Sequence, residues 1–167
     1  MAEDALGGVR TRELPFLAQI DLRAGAQIAV GLKLPRQPNT ALVAGERRVL
    51  WLGPDEWLVV APAGALPGLE RDLRGQFPGP DAAVVDVSGQ RTVIELTGPR
   101  AREVLMKGCS IDLHPAVFGP GRCARTALAR AQVILLPVDQ ETYWIFVQSS
   151  FAAYLAEWLM DAMSEYL

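Results

Sequence analysis

Short stretches of this 167-residue chain alternate apolar with polar residues, or repeat apolar residues at helical spacing. Two apolar tetrapeptides, residues 49–52 and 57–60, flank Gly53-Pro54-Asp55-Glu56. Pro and Asp favour a tight turn, so this pattern predicts a β-hairpin. An apolar residue every three or four positions over residues 66–77 then predicts a short helix that ends before Pro78.

The rest of the chain carries weaker patterns of the same kinds. A helix is predicted after Gly98-Pro99, with Thr97 as its N-cap and Gly108 as its stop. A final helix is predicted to begin at Ser149 or Ser150, which caps it, and its apolar face carries Phe151, Tyr154, Leu155, Trp158, Leu159 and Ala162. Strands are predicted over residues 27–34, 84–87, 92–96, 124–136 and 143–147.

These elements predict an α+β fold built from repeated strand-strand-helix units, around residues 49–77, 84–107 and 131–166. From Thr92 onward, the order strand, helix, strand, strand, helix matches most of a ferredoxin-like split βαβ. Trp57 enters the second strand of the first hairpin, and we expect its ring to pack under the neighbouring helix. Trp144 is predicted to take the equivalent place in the last unit.

We predict two regions: an N-terminal arm over residues 1–23 and one α+β domain over 24–167, with pseudo-halves of about 24–80 and 81–167. Residues 13–20 are apolar at several positions, but Pro15 prevents a helix through them. Their spacing suits neither a clean strand nor a clean helix. Our hypothesis is that they form an exposed partner-binding arm. The alternative is that they fold back over the chain's own sheet.

Composition and charge exclude several classes of protein. Half of the residues are hydrophobic and 21% are charged, which argues against intrinsic disorder. The net charge of −3 and the pI of about 5.2 provide no basic field for nucleic acid. The sequence shows neither a signal peptide nor an apolar run of ~18 residues that could span a membrane. We therefore expect a cytoplasmic protein with reduced thiols.

The polar residues suggest no catalytic constellation. Cys109, Cys123 and His114 cannot form the usual structural zinc site. A nucleophilic pair of Cys109 with His114 is conceivable, but a His-Pro dipeptide is more typical of a turn. Ser88 and Ser150 lack a nucleophile-elbow motif, so we interpret them as a turn residue and a cap.

The remaining candidates also favour structural roles. Gly119-Pro120-Gly121 does not match a phosphate-binding loop, because its Pro removes a backbone donor. The acidic pairs in the predicted turns, Asp55 with Glu56 and Asp139 with Glu141, are typical of solvated turn carboxylates. Asp86 is the one carboxylate within a β-period segment. It could be functional, or it could pair with Arg91, and the sequence does not choose between these roles. We therefore predict no catalytic, cofactor-binding or metal-binding residues.

Several motifs, in one order from Arg12 to the C-terminal helix, resemble the gamma subunit family of heterotetrameric sarcosine oxidase. The first is Arg12-Glu13-Leu14-Pro15, followed by the Leu52–Leu58 hairpin and by Asp86-Val87-Ser88 with Arg91. The others are Gly98-Pro99-Arg100-Ala101-Arg102-Glu103-Val104-Leu105, Lys107-Gly108-Cys109-Ser110-Ile111-Asp112-Leu113, Phe118-Gly119-Pro120-Gly121-Arg122-Cys123-Ala124-Arg125-Thr126, and Ser149-Ser150-Phe151 with Tyr154-Leu155 and Trp158-Leu159.

The resemblance implies a fold like the folate-binding domain of aminomethyltransferases and membership of an alpha-beta-gamma-delta complex. Such a complex demethylates sarcosine to glycine, transfers the one-carbon unit to tetrahydrofolate and passes electrons through flavin to oxygen. In that family FAD, FMN and NAD belong to the alpha and beta subunits and zinc to the delta subunit, so no cofactor is expected in this chain. The alternative function is a free-standing folate-binding one-carbon protein of the aminomethyltransferase type.

Overall fold

The computed structural model describes residues 8–25 and 32–166. Its strands are β1 (Arg10–Leu14), β2 (Ala18–Ala24), β3 (Ala41–Ala44), β4 (Arg47–Gly53), β5 (Glu56–Ala61), β6 (Ala82–Asp86), β7 (Arg91–Thr97), β8 (Ala124–Leu128), β9 (Ala131–Pro137) and β10 (Thr142–Gln148). The α-helices are α1 (Leu66–Gln76), α2 (Ala101–Met106) and α3 (Ala152–Met163). The predicted α+β class is confirmed.

Contacts divide the chain into two compact units. One comprises the chain up to Leu14 together with everything from Arg91 onward, and the other is Pro15–Gln90. This division differs from the predicted arm over 1–23 and from the predicted pseudo-halves. Residues 18–24 form an interior strand of the second unit, whereas β1 pairs with β7 of the first.

The first unit is an antiparallel sheet in the order β1-β7-β10-β9-β8, covered on one face by α2 and α3. The buried face of α3 repeats at helical spacing and consists of Leu155, Leu159, Ala162 and Met163. These side chains pack against alternate residues of the sheet, including Leu135, Tyr143, Ile145 and Val147. Fully buried apolar side chains of this kind stabilise a fold by about 1.5–3 kcal/mol each.

The second unit is an antiparallel sheet in the order β3-β4-β5-β2-β6. Its helix α1 buries Leu69 and Leu73 against a core that contains Ile20, Leu22, Trp57 and Val59. The hairpin predicted around Gly53-Pro54 is β4–β5, and the helix predicted over 66–77 is α1, so both predictions are confirmed. The strand predicted over 27–34 lies mostly outside the described residues, and its described part is not a strand.

Several local predictions are wrong. The long strand over 124–136 is two strands, β8 and β9, because the chain turns at Ala129, which adopts a φ of 52° without Gly, Asn or Pro nearby. Thr97 does not cap α2, because the N-cap of that helix is Arg100. The Thr97 hydroxyl instead lies 2.9 Å from the Thr142 hydroxyl. Neither Ser149 nor Ser150 caps α3, because a 3₁₀ turn over Ser149–Phe151 precedes that helix.

The predicted strand-strand-helix unit around residues 84–107 is also wrong. β6 pairs with β2 and β7 pairs with β1 and β10, so these consecutive strands belong to different sheets and do not form a hairpin. The turn Val87–Gln90 marks the boundary between the two units. Local spacing cannot distinguish such a change of sheet from a hairpin.

Candidate functional site

Cys109 and His114 each have a local role in the structure. The backbone N–H of Ala116 donates to Nδ1 of His114 at 3.2 Å, and that of His114 donates to Oδ1 of Asp112 at 2.9 Å. The carbonyl of His114 also accepts from Phe118, so His114 organises a tight turn, as expected. Sγ of Cys109 lies 3.9 Å from the Thr126 hydroxyl, beside an isolated bridge between Cys109 and Leu128.

Asp86 is exposed and lies at the end of β6. The backbone N–H of Ser88 donates to its Oδ1 at 2.9 Å. The hydroxyl and then the backbone N–H of Ser88 lower the pKa of Asp86 below its usual 3.8, because these hydrogen bonds favour the carboxylate. Ser88 also joins β6 to β2, since its Oγ accepts from Gln19 N at 2.9 Å. The hydrogen bonds of Asp86, Ser88 and Gln19 fix the turn after β6.

The two acidic turns also fit structural roles. Glu56 lies 3.5 Å from the guanidinium of Arg23, and the carbonyl of Asp55 accepts from Ala24 at 3.1 Å. Oδ1 of Asp139 accepts from the backbone N–H of Glu141 at 2.8 Å, which is a typical Asx turn. The carboxylates of Glu56 and Asp139 therefore contact a strand and a turn, respectively.

Trp57 is buried, as predicted, with 4% of its surface exposed. It packs in the core with α1, and its Nε1 donates to the carbonyl of Pro35 at 2.8 Å. The prediction that Trp144 takes the place of Trp57 in the last unit is wrong, because the preceding residue, Tyr143, lies there. Tyr143 occupies the core-facing place in β10, so Trp144 points to the opposite face of the sheet.

The sequence did not predict the polar group around Trp144. Its Nε1 donates to Oε2 of Glu95 at 3.0 Å, while Arg12 donates to Oε1 of Glu95 at 2.7 Å. β1, β7 and β10 lie side by side, and their register aligns these three residues. A shallow hollow beside them is lined by Arg10, Thr11, Arg12, Glu95 and Thr97. One signal was available, since Glu95 interrupts the otherwise apolar centre of β7.

The hypothesis of an irregular arm over residues 13–20 is wrong, because these residues contribute to strands in both sheets. Ile20 is fully buried in β2, which lies between β5 and β6. The alternative, in which the segment folds over the chain's own sheet, describes residues 18–20. Glu13, Pro15 and Phe16 are exposed, and Phe16, in the turn between β1 and β2, is 86% exposed.

Within residues 8–25 and 32–166, no cluster of three or more His, Cys, Asp or Glu side chains is arranged to hold a metal ion. No helix in the same part of the chain is long and apolar enough to span a membrane. The contacts described above for His114, Asp86 and Asp139 are hydrogen bonds within turns.

The structure resembles solved proteins over nearly its whole length. A chain of the heterotetrameric sarcosine oxidase from Corynebacterium sp. U-96, solved with pyrrole 2-carboxylate, matches with a TM-score of 0.88 and 35% identity, over 99% of this chain and 87% of that chain. The glycine cleavage system aminomethyltransferase T from Bartonella henselae matches with a TM-score of 0.67 and 16% identity, over 93% of this chain and 46% of that one. The protein therefore has an aminomethyltransferase-like fold.

Sequence comparison identifies the family. The profile of the sarcosine oxidase, gamma subunit family matches residues 17–165. The sarcosine oxidase subunit gamma of an Arthrobacter species is 38% identical over 96% of this chain and 82% of its own length. That of Corynebacterium sp. strain P-1 is 39% identical over 99% of this chain and 86% of its own length. This chain belongs to the sarcosine oxidase gamma subunit family.

Proposed function

We propose that this chain is the gamma subunit of a heterotetrameric, flavin-dependent oxidase of sarcosine or a similar N-methyl amine. The observation that carries the proposal is the match of 99% of this chain, at a TM-score of 0.88, to a chain of a heterotetrameric sarcosine oxidase. The proposed complex demethylates sarcosine to glycine, and tetrahydrofolate accepts the one-carbon unit.

Within this complex we assign the chain a role in assembly rather than in catalysis. The alpha, beta and delta subunits are its partners, and they hold FAD, FMN, NAD and zinc. This assignment is supported by the local roles of His114, Asp86 and Ser88, each of which hydrogen-bonds to backbone atoms of a turn or a neighbouring strand. The proposed location of the complex is the cytoplasm.

The alternative, a free-standing folate-binding one-carbon protein, is supported by the fold alone. This chain covers 46% of the aminomethyltransferase that it resembles, at 16% identity. The match to a chain of a heterotetrameric sarcosine oxidase, by contrast, covers 99% of this chain and 87% of that one, at 35% identity. The subunit assignment therefore explains the whole chain better.

Co-expression tests the proposal. The tagged chain, expressed with the alpha, beta and delta subunits, should co-purify with them as a yellow complex that forms peroxide from sarcosine. The same chain expressed alone should be colourless and inactive. Flavin absorbance in the isolated chain, or peroxide formed from sarcosine by it alone, would contradict the non-catalytic role. Failure to co-purify, together with tetrahydrofolate binding by the isolated chain, would favour the free-standing function.

A further inference from the structure

Lys107 joins the ends of two helices in the first unit. It is the C-cap residue of α2, and its Nζ donates to the carbonyl of Ala162, near the end of α3, at 2.5 Å. The same ammonium lies 3.1 Å from Oε2 of Glu165 and 4.7 Å from the centroid of the Tyr166 ring. The Lys107 side chain is 26% exposed. A backbone carbonyl, a carboxylate and an aromatic ring thus converge on one partly buried cation.

The end of α3 requires a cation that this helix does not provide. The last four carbonyls of a helix lack partners within it, and the helix dipole makes this end negative. Within the described residues of α3, the last turn carries no basic side chain. Asp161 lies in that turn and Glu165 follows it, and carboxylates at this end of a helix are unfavourable. Lys107 therefore supplies, from another helix, the charge that offsets the dipole and these carboxylates.

The 3₁₀ turn after α3, Ser164–Tyr166, has few other contacts to hold it. Ser164 and Glu165 are exposed, and Tyr166 is half-buried where it packs against the core of the first unit. The backbone N–H of Ser164 donates to the carbonyl of Asp161, and its hydroxyl donates to the same carbonyl at 2.6 Å. Segments with little buried apolar surface open locally at a low cost in free energy. The contacts of Glu165 and Tyr166 with Lys107 are thus a large share of what fixes this turn.

We propose that Ser164–Tyr166 is a C-terminal strap, which Lys107 holds closed at the end of α2 and which opens while the sheet of the first unit stays folded. This proposal does not depend on the proposed function. Removal of the ammonium leaves the Ala162 carbonyl without its donor and the Tyr166 ring without its cation–π partner. The negative end of α3 then lies beside Asp161 and Glu165 without a nearby positive charge from Lys107. The strap opens and uncovers the part of the core against which Tyr166 packs.

The test compares Lys107→Met with a matched control, Arg130→Met, by hydrogen–deuterium exchange of the full-length chain. Methionine retains the apolar stem of lysine and removes its charge. Arg130 is an exposed cation of the same unit, in the turn between β8 and β9. Lys107→Met should raise the exchange rate of the strap amides by at least about tenfold, because a partly buried cation is lost from a helix C-terminus. The amides of β9 and β10 should exchange as in the wild type, and Arg130→Met should change neither region.

Three results would overturn the proposal. If the strap amides of Lys107→Met exchange at the wild-type rate, Lys107 does not hold the strap closed. If β9 and β10 exchange faster to the same extent as the strap, Lys107 stabilises the whole unit and the strap does not open separately. If Arg130→Met raises strap exchange as much as Lys107→Met does, the effect comes from net charge and not from the contacts of Lys107.

Discussion

Several polar side chains in the described part of this chain bond to backbone groups two or three residues away. Asp86, Asp112 and Asp139 each accept from the N–H two residues further along the chain. This Asx geometry stabilises turns and satisfies the carboxylate locally. A side chain held in this way orients the backbone. It follows that residue types capable of acid/base chemistry can be present in numbers without forming an active site.

Trp57 is expected to be the most costly single residue to truncate in the second unit. Trp57→Ala removes a buried ring and leaves the Pro35 carbonyl without its 2.8 Å donor. We expect a loss of roughly 3–5 kcal/mol in the free energy of unfolding, measured by urea denaturation. Trp57→Phe serves as the control, because it retains most of the apolar surface and should lose about 1–2 kcal/mol. Equal stability of Trp57→Ala and wild type would contradict the core assignment.

The pKa of Asp86 provides a second test at this scale. Hydrogen bonds from Ser88 lower this pKa in the folded chain. Ionised Asp86 therefore stabilises the fold above its unfolded pKa of about 3.9, and this contribution is lost as the pH falls through the folded value. Ser88→Ala should raise the pKa measured by NMR titration towards 3.8, whereas Ser88→Thr should preserve the lowered value. If the pKa of Asp86 in Ser88→Ala is the same as in the wild type, the Ser88 hydroxyl does not cause the lowered value.

Elements with distinctive local chemistry could be predicted from the sequence, and those defined by distant partners could not. The β4–β5 hairpin was identifiable because Pro54 and Asp55 mark its turn, and α1 because its leucines repeat at helical spacing. The β8–β9 turn was missed because Ala129 adopts positive φ without a residue type that signals it. Similarly, the Arg12–Glu95–Trp144 group depends on strand neighbours 49 to 83 residues apart.

Close approach between elements favours glycine at position 108, just after α2. A Cβ at Gly108 would lie 2.5 Å from the Trp158 ring of α3 and 3.1 Å from the backbone nitrogen of Ala129. Gly108→Ala should therefore cost about 1–3 kcal/mol of stability through overpacking. Gly68→Ala is the matched control, because Gly68 lies in α1 with open space around its Cα. It should stabilise the chain by about 0.5–1 kcal/mol through helix propensity. Chemical denaturation of both variants checks the contrast.

For the whole molecule, the two units share one strand order. Across each sheet, an edge strand is followed by the two strands of a hairpin and then by the strand that comes first of these four in the chain: β3-β4-β5-β2 in one unit and β8-β9-β10-β7 in the other. The edge position beyond β2 is taken by β6, and the edge position beyond β7 is taken by β1. Because β1 comes from the opposite end of the chain, the first unit is continuous in space but not in sequence. Local sequence patterns therefore do not predict that β1 belongs to this sheet.

The proposed non-catalytic role predicts that the assembled complex tolerates loss of this chain's most reactive side chains. His114→Ala and Cys109→Ser should leave turnover of sarcosine by the assembled complex nearly unchanged, because both residues serve local structure. Loss of a general base or nucleophile typically lowers the rate by ~10²-fold or more, so steady-state peroxide assays separate the two cases clearly. Size-exclusion chromatography of each variant complex controls for assembly. A hundredfold fall in kcat in a fully assembled complex would show that this chain contributes a catalytic residue.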